Sequence, residues 1–234
     1  MTHTHHRRGS RESLSTDYVL LAMIDPAVEE QQKYRGALAP RVKKLLSILG
    51  RHDPVSLAAR TPQNRLRYMK GWEPSMDSGI HQSSTVNDIV TCEDIEGIGH
   101  AVYTSKQSVE KALQEIREAD LGISIVVSGV FEEVFDICRR TGLTPHTVNM
   151  SLETWGKTDL LPKGSVLELC TMCGHAMISA RLAETMISQV IRGIKTPEAA
   201  AVELGKQCTC NIFNTARGAE IIKGAAAARE ATKS

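Results

Sequence analysis

The sequence predicts a mixed α/β chain with a helical C-terminal segment that binds metal, on three observations. Ile123-Ser124-Ile125-Val126-Val127 is a short β-rich apolar run, and after the Ser128-Gly129 turn Val130, Val134, Ile137 and Cys138 recur at helical spacing. From Thr85 onward, short strand-like runs alternate with helix-like ones, which is the pattern of a small α/β unit. From Leu167 to the end the pattern is helical, and it carries two tight cysteine pairs, Cys170-Thr171-Met172-Cys173 and Cys208-Thr209-Cys210.

In chain order, residues 1 to about 15 read as a polar, disordered tail, with His3, His5 and His6 in it. Residues 17–49 read as helical, broken at Pro26 and Pro40, with Asp25-Pro26 as a start, Val42, Leu45, Leu46 and Leu49 as one stripe, and Gly50 as the stop. Asp53-Pro54 predicts another short helix. Residues 60–84 carry Pro, Gly, Asn and Ser at intervals and read as irregular connection, with Trp72 and Met76 as lids over a core. Val86 to Thr91 and His100 to Tyr103 read as strands. Ser105 caps a helix with Val109, Ala112, Leu113 and Ile116 on one face, closed by Gly122. The run from Ile123 then reads as the buried central strand, and Thr144 to Met150 as a parallel partner reached through the helix that Gly142 closes. Beyond the loop from Gly156 to Gly164, helices are expected from His175 to Arg192, from Thr196-Pro197 to Lys206, and from Asn214 or Thr215 to about Glu230. The expected domains are residues 1–84 (tail and helical N-terminal region), 85–165 (α/β unit) and 166–234 (helical four-cysteine domain).

Composition bounds the function. The chain has 234 residues, 41% hydrophobic and 24% charged, with a formal net charge of +1. That balance lacks the basic excess of a nucleic-acid binder. Its apolar runs fall short of the roughly 18 residues a membrane span needs. The basic N-terminus is not followed by the apolar core of a signal peptide. The expectation is a cytoplasmic protein with reduced thiols and no nucleic-acid or membrane partner, so paired cysteines point to metal or catalysis.

Cys-x-x-Cys on a tight turn aims two sulfurs at one point, and Gly174 permits that turn. Residues 174–207 separate the pairs and form two short antiparallel helices that return the chain to its origin. Cys170, Cys173, Cys208 and Cys210 are thus the candidate ligands of a four-thiolate site. Zinc takes such a set from C-x₂₋₄-C knuckles, although Cys208-x-Cys210 is tighter than that rule. Iron–sulfur clusters also take four thiolates from separated motifs. His175 is a candidate second donor near the sulfurs, and Arg217 a candidate counter-charge.

The cysteine pair, the helix ending in Val190-Ile191-Arg192-Gly193-Ile194-Lys195-Thr196, the second helix and the last cysteine pair resemble the [2Fe–2S] module of bacterioferritin-associated ferredoxins. The resemblance spans about residues 168 to 223. It implies that Cys170, Cys173, Cys208 and Cys210 are cluster ligands. The family places C-x-C first and C-x-x-C second, whereas this chain has the reverse order. Both a [2Fe–2S] and a [4Fe–4S] cluster, and zinc, remain open.

Outside the thiols, Ser128 and Gly129 end the predicted central strand and open a helix, where α/β proteins place ligands and a helix N-terminus favours an anion. His146, Asn149 and Lys157 follow the next predicted strand as candidate donors to a substrate. Cys92 and Cys138 stand alone, and Cys138 on an apolar face reads as core. No nucleotide, flavin or nucleophile motif occurs. The expected function is an iron–sulfur protein that transfers electrons to a redox partner or acts on a small anionic substrate held by the α/β unit. The alternative is a zinc-stapled binding or regulatory protein without catalysis.

Overall fold

Tyr18-Val19-Leu20-Leu21-Ala22 is buried along its whole length, yet successive residues face different cores. Val19 and Leu21 pack with the C-terminal helices, whereas Tyr18, Leu20 and Ala22 pack with the helices of the other half. Alternation with period two is the signature of a strand, and burial on both faces hides it from any hydrophobic pattern. A computed structural model of the chain describes residues 7–23, 35–74, 81–95, 99–151 and 154–232. It shows the mixed α/β chain expected, built as a sheet between two helical layers.

The strands are β1 (Tyr18–Met23), β2 (Ser56–Arg60), β3 (Arg65–Met69), β4 (His81–Ser83), β5 (His100–Tyr103) and β6 (Ser124–Ser128), in the spatial order β4-β3-β2-β5-β1-β6. Every pairing is antiparallel except β3 with β4. On one face lie α2 (Arg35–Gly50), α3 (Val86–Thr91), α4 (Lys106–Ala119) and α5 (Phe131–Thr141). On the other lie α6 (Ser165–Thr171), α7 (Ala180–Ile191), α8 (Pro197–Lys206) and α9 (Thr215–Ala231), joined to the sheet through Val19, Leu21, Val55 and Val102. The short α1 (Arg11–Leu14) precedes the sheet.

Several expectations need correction. Residues 17–49 contain β1 and α2 rather than broken helices; α2 runs through Pro40 because Val42, Leu45, Leu46 and Leu49 are fully buried behind it, and packing outweighs one missing helical hydrogen bond. Pro26 and Met76 lie outside the described residues, as do His3, His5 and His6. Asp53-Pro54 leads into β2, and the connection expected over residues 60–84 holds β3 and β4. Val86 to Thr91 is a helix: Thr85 and Asp88 form a reciprocal capping box, which satisfies two of the orphan N–H groups at its start. β6 is an edge strand, half-buried, and pairs antiparallel with β1. Thr144 to Met150 is exposed and irregular, so the expected parallel β-α-β step is absent from it. From Arg7 on, the expected tail is tied down, with the Arg8 N–H on Thr171 Oγ1 at 3.2 Å.

Strands from both sides of residue 85 share one sheet, and the helices between Val166 and Ala225 share a core with it. The C-terminal helices follow the sequence reading closely. α7 starts at Ala180, five residues later than expected; Thr196 caps α8 with Pro197 in its first turn, and Asn214 caps α9.

Candidate metal centre

Two turns approach each other on the face of the sheet that carries α6 to α9. The first follows α6: Cys173 is fully buried, Gly174 takes φ +80°, and Ala176 takes φ +52°. The second follows α8: Cys208 is fully buried, Cys210 half-buried, and Asn211 takes φ +55°. Left-handed residues reverse the chain within a few residues and turn successive N–H groups inward. The Cys173 sulfur accepts hydrogen bonds from the backbone N–H groups of Met177 and His175. The Ile212 N–H donates to Cys208 Sγ at 3.4 Å. Such N–H···S bonds favour a thiolate over a thiol.

Three thiols converge. Cys208 Sγ and Cys210 Sγ are 3.5 Å apart, and both hydrogen-bond to Cys173. His175 Nδ1 reaches Cys210 Sγ at 3.2 Å. The charges are unequal. Hydrogen bonds from Cys208 and Cys210 hold the Cys173 thiol pKa far below its ordinary value. Donation to Cys173 holds the pKa values of Cys208 and Cys210 up. Cys170, at the end of α6, is buried and stands further back. Burial pushes its pKa up, and the charges of Cys173 and Glu184 push the same way. Among the described residues, no group of three or more His, Cys, Asp or Glu side chains is arranged to hold a metal ion. The donor chemistry fits a thiophilic metal: three thiols lie together and an imidazole touches one of them, with hydrogen bonds already on the sulfurs.

The sheet grips the second turn through residues that the sequence reading left in a loop. Asn211 Nδ2 donates to Ser56 Oγ at 2.6 Å, to Leu57 O at 3.0 Å and to Tyr68 O at 2.9 Å. Arg67, 1% exposed, donates to Asn211 Oδ1 at 3.3 Å, Gly205 O at 3.3 Å and Cys208 O at 2.8 Å. Its guanidinium lies 5.0 Å from the Trp72 ring centroid. Arg65 adds a bond to Thr209 O at 3.0 Å. Gly205 lets α8 come this close, since a Cβ there would meet Met69 and the Phe213 ring. The signal that could have found these arginines is the alternation in Arg65-Leu66-Arg67-Tyr68-Met69, which is that of a strand.

Arg217 does not reach the thiols. Its guanidinium bonds Asp17 at 2.8 Å, Glu168 at 3.2 Å, Ser13 at 2.9 Å and the Arg8 carbonyl at 2.6 Å. It locks the N-terminus to α6 and α9, and the arginines beside the thiols are Arg65 and Arg67.

Four of the other candidates, Ser128, Gly129, His146 and Asn149, line a cavity of about 800 Å³ along the free edge of β6. Its walls are mostly apolar, with Ile125, Val127, Phe131 and Val148 among them. Lys157 is exposed and lies outside the lining. Gly129 is explained by packing, because a Cβ there would lie 2.8 Å from the Tyr18 ring. Cys138 is buried in the helix face, as expected.

Fold and site together define a three-layered α/β protein with a cysteine cluster at the junction of its sheet and C-terminal helices. No family model, curated protein or solved structure matches the chain. No helix among the described residues is long and apolar enough to cross a membrane.

Proposed function

We propose that this chain is an iron–sulfur protein whose centre rests on Cys173, Cys208 and Cys210, with His175 or Cys170 as the fourth donor. The observation that carries the reading is the convergence of three thiols from two turns distant in sequence, each turn bringing backbone N–H groups to a sulfur. Bound there, a cluster supplies one-electron chemistry. The chain's own residues fix its surroundings: Cys173 and Cys208 lie on the dry side, while the exposed His175 and half-buried Cys210 form a rim open to solvent. A one-sided rim suits electron exchange with a docking partner. A small substrate would occupy the cavity beside β6, whose volume lies in the usual range for ligand sites.

A second reading, a zinc centre with a structural role, is favoured by one feature. Three thiols that lie together, with one imidazole against Cys210, supply the donor types of the Cys₃His set that closes structural zinc sites. Protein purified without exposure to air decides between them. Brown colour with iron and acid-labile sulfide supports the cluster. Colourless protein with stoichiometric zinc selects the second reading, and protein holding neither metal overturns both.

A further inference from the structure

We propose that Arg67 is the built-in counter-cation of the thiol centre, holding the Cys208–Cys210 turn by hydrogen bonds and balancing the centre's negative charge. The inference rests on the reading of this site as a thiolate-held metal. Arg67 sits on β3 with 1% of its surface exposed, and its hydrogen-bond partners are neutral oxygens: the carbonyls of Gly205 and Cys208 and the side-chain amide of Asn211. Among the described residues no carboxylate is among the charges that act on it. A buried guanidinium without an opposite charge is costly. The end of the α8 dipole at Gly205 offsets part of that cost. The titratable groups that favour its charge are the thiols Cys208 and Cys210, which would be anionic once they hold a metal.

The charges balance when the site is loaded. Three thiolates around zinc, or around an oxidised [2Fe–2S] core, leave one net negative charge. Arg67 supplies the matching positive one within the same dry layer, and the half-buried Arg65 adds a second at the rim. Trp72 stacks on the guanidinium and closes it off from water. The arrangement therefore favours the metal-loaded centre over the protonated thiols, and for a cluster it favours the reduced state.

The test compares full-length wild type, Arg67→Gln and Arg67→Lys. Each is reconstituted without air, once with zinc alone and once with iron and sulfide. The readouts are metal affinity by chelator competition, midpoint potential where a cluster forms, and circular dichroism for fold. Removing the charge in R67Q should lower metal affinity by about 10-fold or more. It should also lower a cluster's potential by about 59 mV, the one-electron equivalent of a tenfold change. R67K keeps the charge and should stay within about threefold of wild type, a small fraction of the loss expected on removing an outer-shell partner. If wild type loads metal and R67Q loads it as tightly, at the same potential, the counter-cation role is wrong and the metal centre stands. If wild type loads neither metal, both fall. If R67Q does not fold, R67K decides: a folded R67K that retains metal supports the role, and a folded R67K that loses it shows that fork geometry rather than charge matters.

Discussion

Asn211 and Ser56 bind each other from opposite layers: Asn211 Nδ2 lies 2.6 Å from Ser56 Oγ, and the serine hydroxyl donates to the asparagine's own carbonyl. The pair joins the turn that holds Cys208 and Cys210 to β2. The same amide nitrogen also satisfies two sheet carbonyls, Leu57 O and Tyr68 O. Asn211→Ala removes the two N–H donors that Ser56 Oγ, Leu57 O and Tyr68 O share and places alanine at a left-handed φ that asparagine tolerates better. The expected loss is about 3 kcal/mol, measured by urea unfolding, with weaker metal retention alongside. A loss below about 1 kcal/mol, the net worth of one ordinary hydrogen bond, would mean that the clasp is not structural.

The reach of the sequence here follows burial. The C-terminal helices are legible because each has one apolar face and clear punctuation: Thr196-Pro197 starts α8, and Asn214 caps α9. Of the strands, β5 and β6 are legible as such, whereas β1 to β4 are not. β1 is buried on both faces, so Tyr18 to Ala22 is uniformly apolar and imitates a helix. β2 and β3 hold arginines that a local reading assigns to solvent, yet Arg67 is buried because the C-terminal turn supplies carbonyls from far along the chain. β6 has the composition of a central strand, but strand order is set by long-range pairing with β1, which no local pattern carries. At the site, the cysteine spacing announced a cluster of thiols; the part played by Asn211, Arg65 and Arg67 required the sheet.

The fourth donor is open to a direct comparison. Cys173→Ser, Cys208→Ser and Cys210→Ser should each abolish metal retention. His175 already touches Cys210 Sγ, whereas Cys170 stands back at the end of α6. His175→Ala should therefore release more metal than Cys170→Ser under the same chelator challenge. The reverse order, read by metal analysis of both variants, would restore the four-cysteine set.

Asp17 is fully buried and bridges Arg7 and Arg217, each almost fully buried itself. Removing the shared anion leaves two buried cations, with Glu168 the one remaining carboxylate paired to Arg217 among the described residues. Asp17→Asn should cost about 3–5 kcal/mol. Denaturant unfolding of the variant checks this, and a change within about 1 kcal/mol, far below the cost of stranding a buried charge, would mean that the network relaxes freely.

Glu133 accepts hydrogen bonds from the hydroxyls of Tyr18 and Ser15. Burial pushes its pKa up, but these bonds and the charges of Lys106 and Arg11 outweigh that and leave it below the ordinary value. A carboxyl depressed in the folded state adds stability above its unfolded pKa, about 4.3 for Glu. That contribution is lost as pH falls through the folded value. Wild type should thus exceed Glu133→Gln in stability at pH 7, and the gap should begin to narrow as pH falls below about 4.3, the unfolded Glu value, and go on narrowing through the lower folded one. A gap independent of pH would assign the effect to packing.

Metal binding should be felt unevenly. The turns at residues 172–178 and 207–212 place Met172, Ile178 and Ile212 in the core that α7, α8 and α9 share with Val19, Leu21, Val55 and Val102, and the two turns meet each other at the sulfurs. Helices of this length are marginal alone, but here the sheet already supports them. Loading the centre ties the two turns together and contributes folding free energy locally. Hydrogen exchange on loaded and stripped protein should show the largest gain in protection at residues 172–178 and 207–212, a smaller gain in α8 and β3 through Gly205 and Arg67, and little change in α4 or α5 on the opposite face. Equal change along the whole chain would mean that the metal controls global unfolding. No change at either turn would mean that the cysteines hold no metal at all.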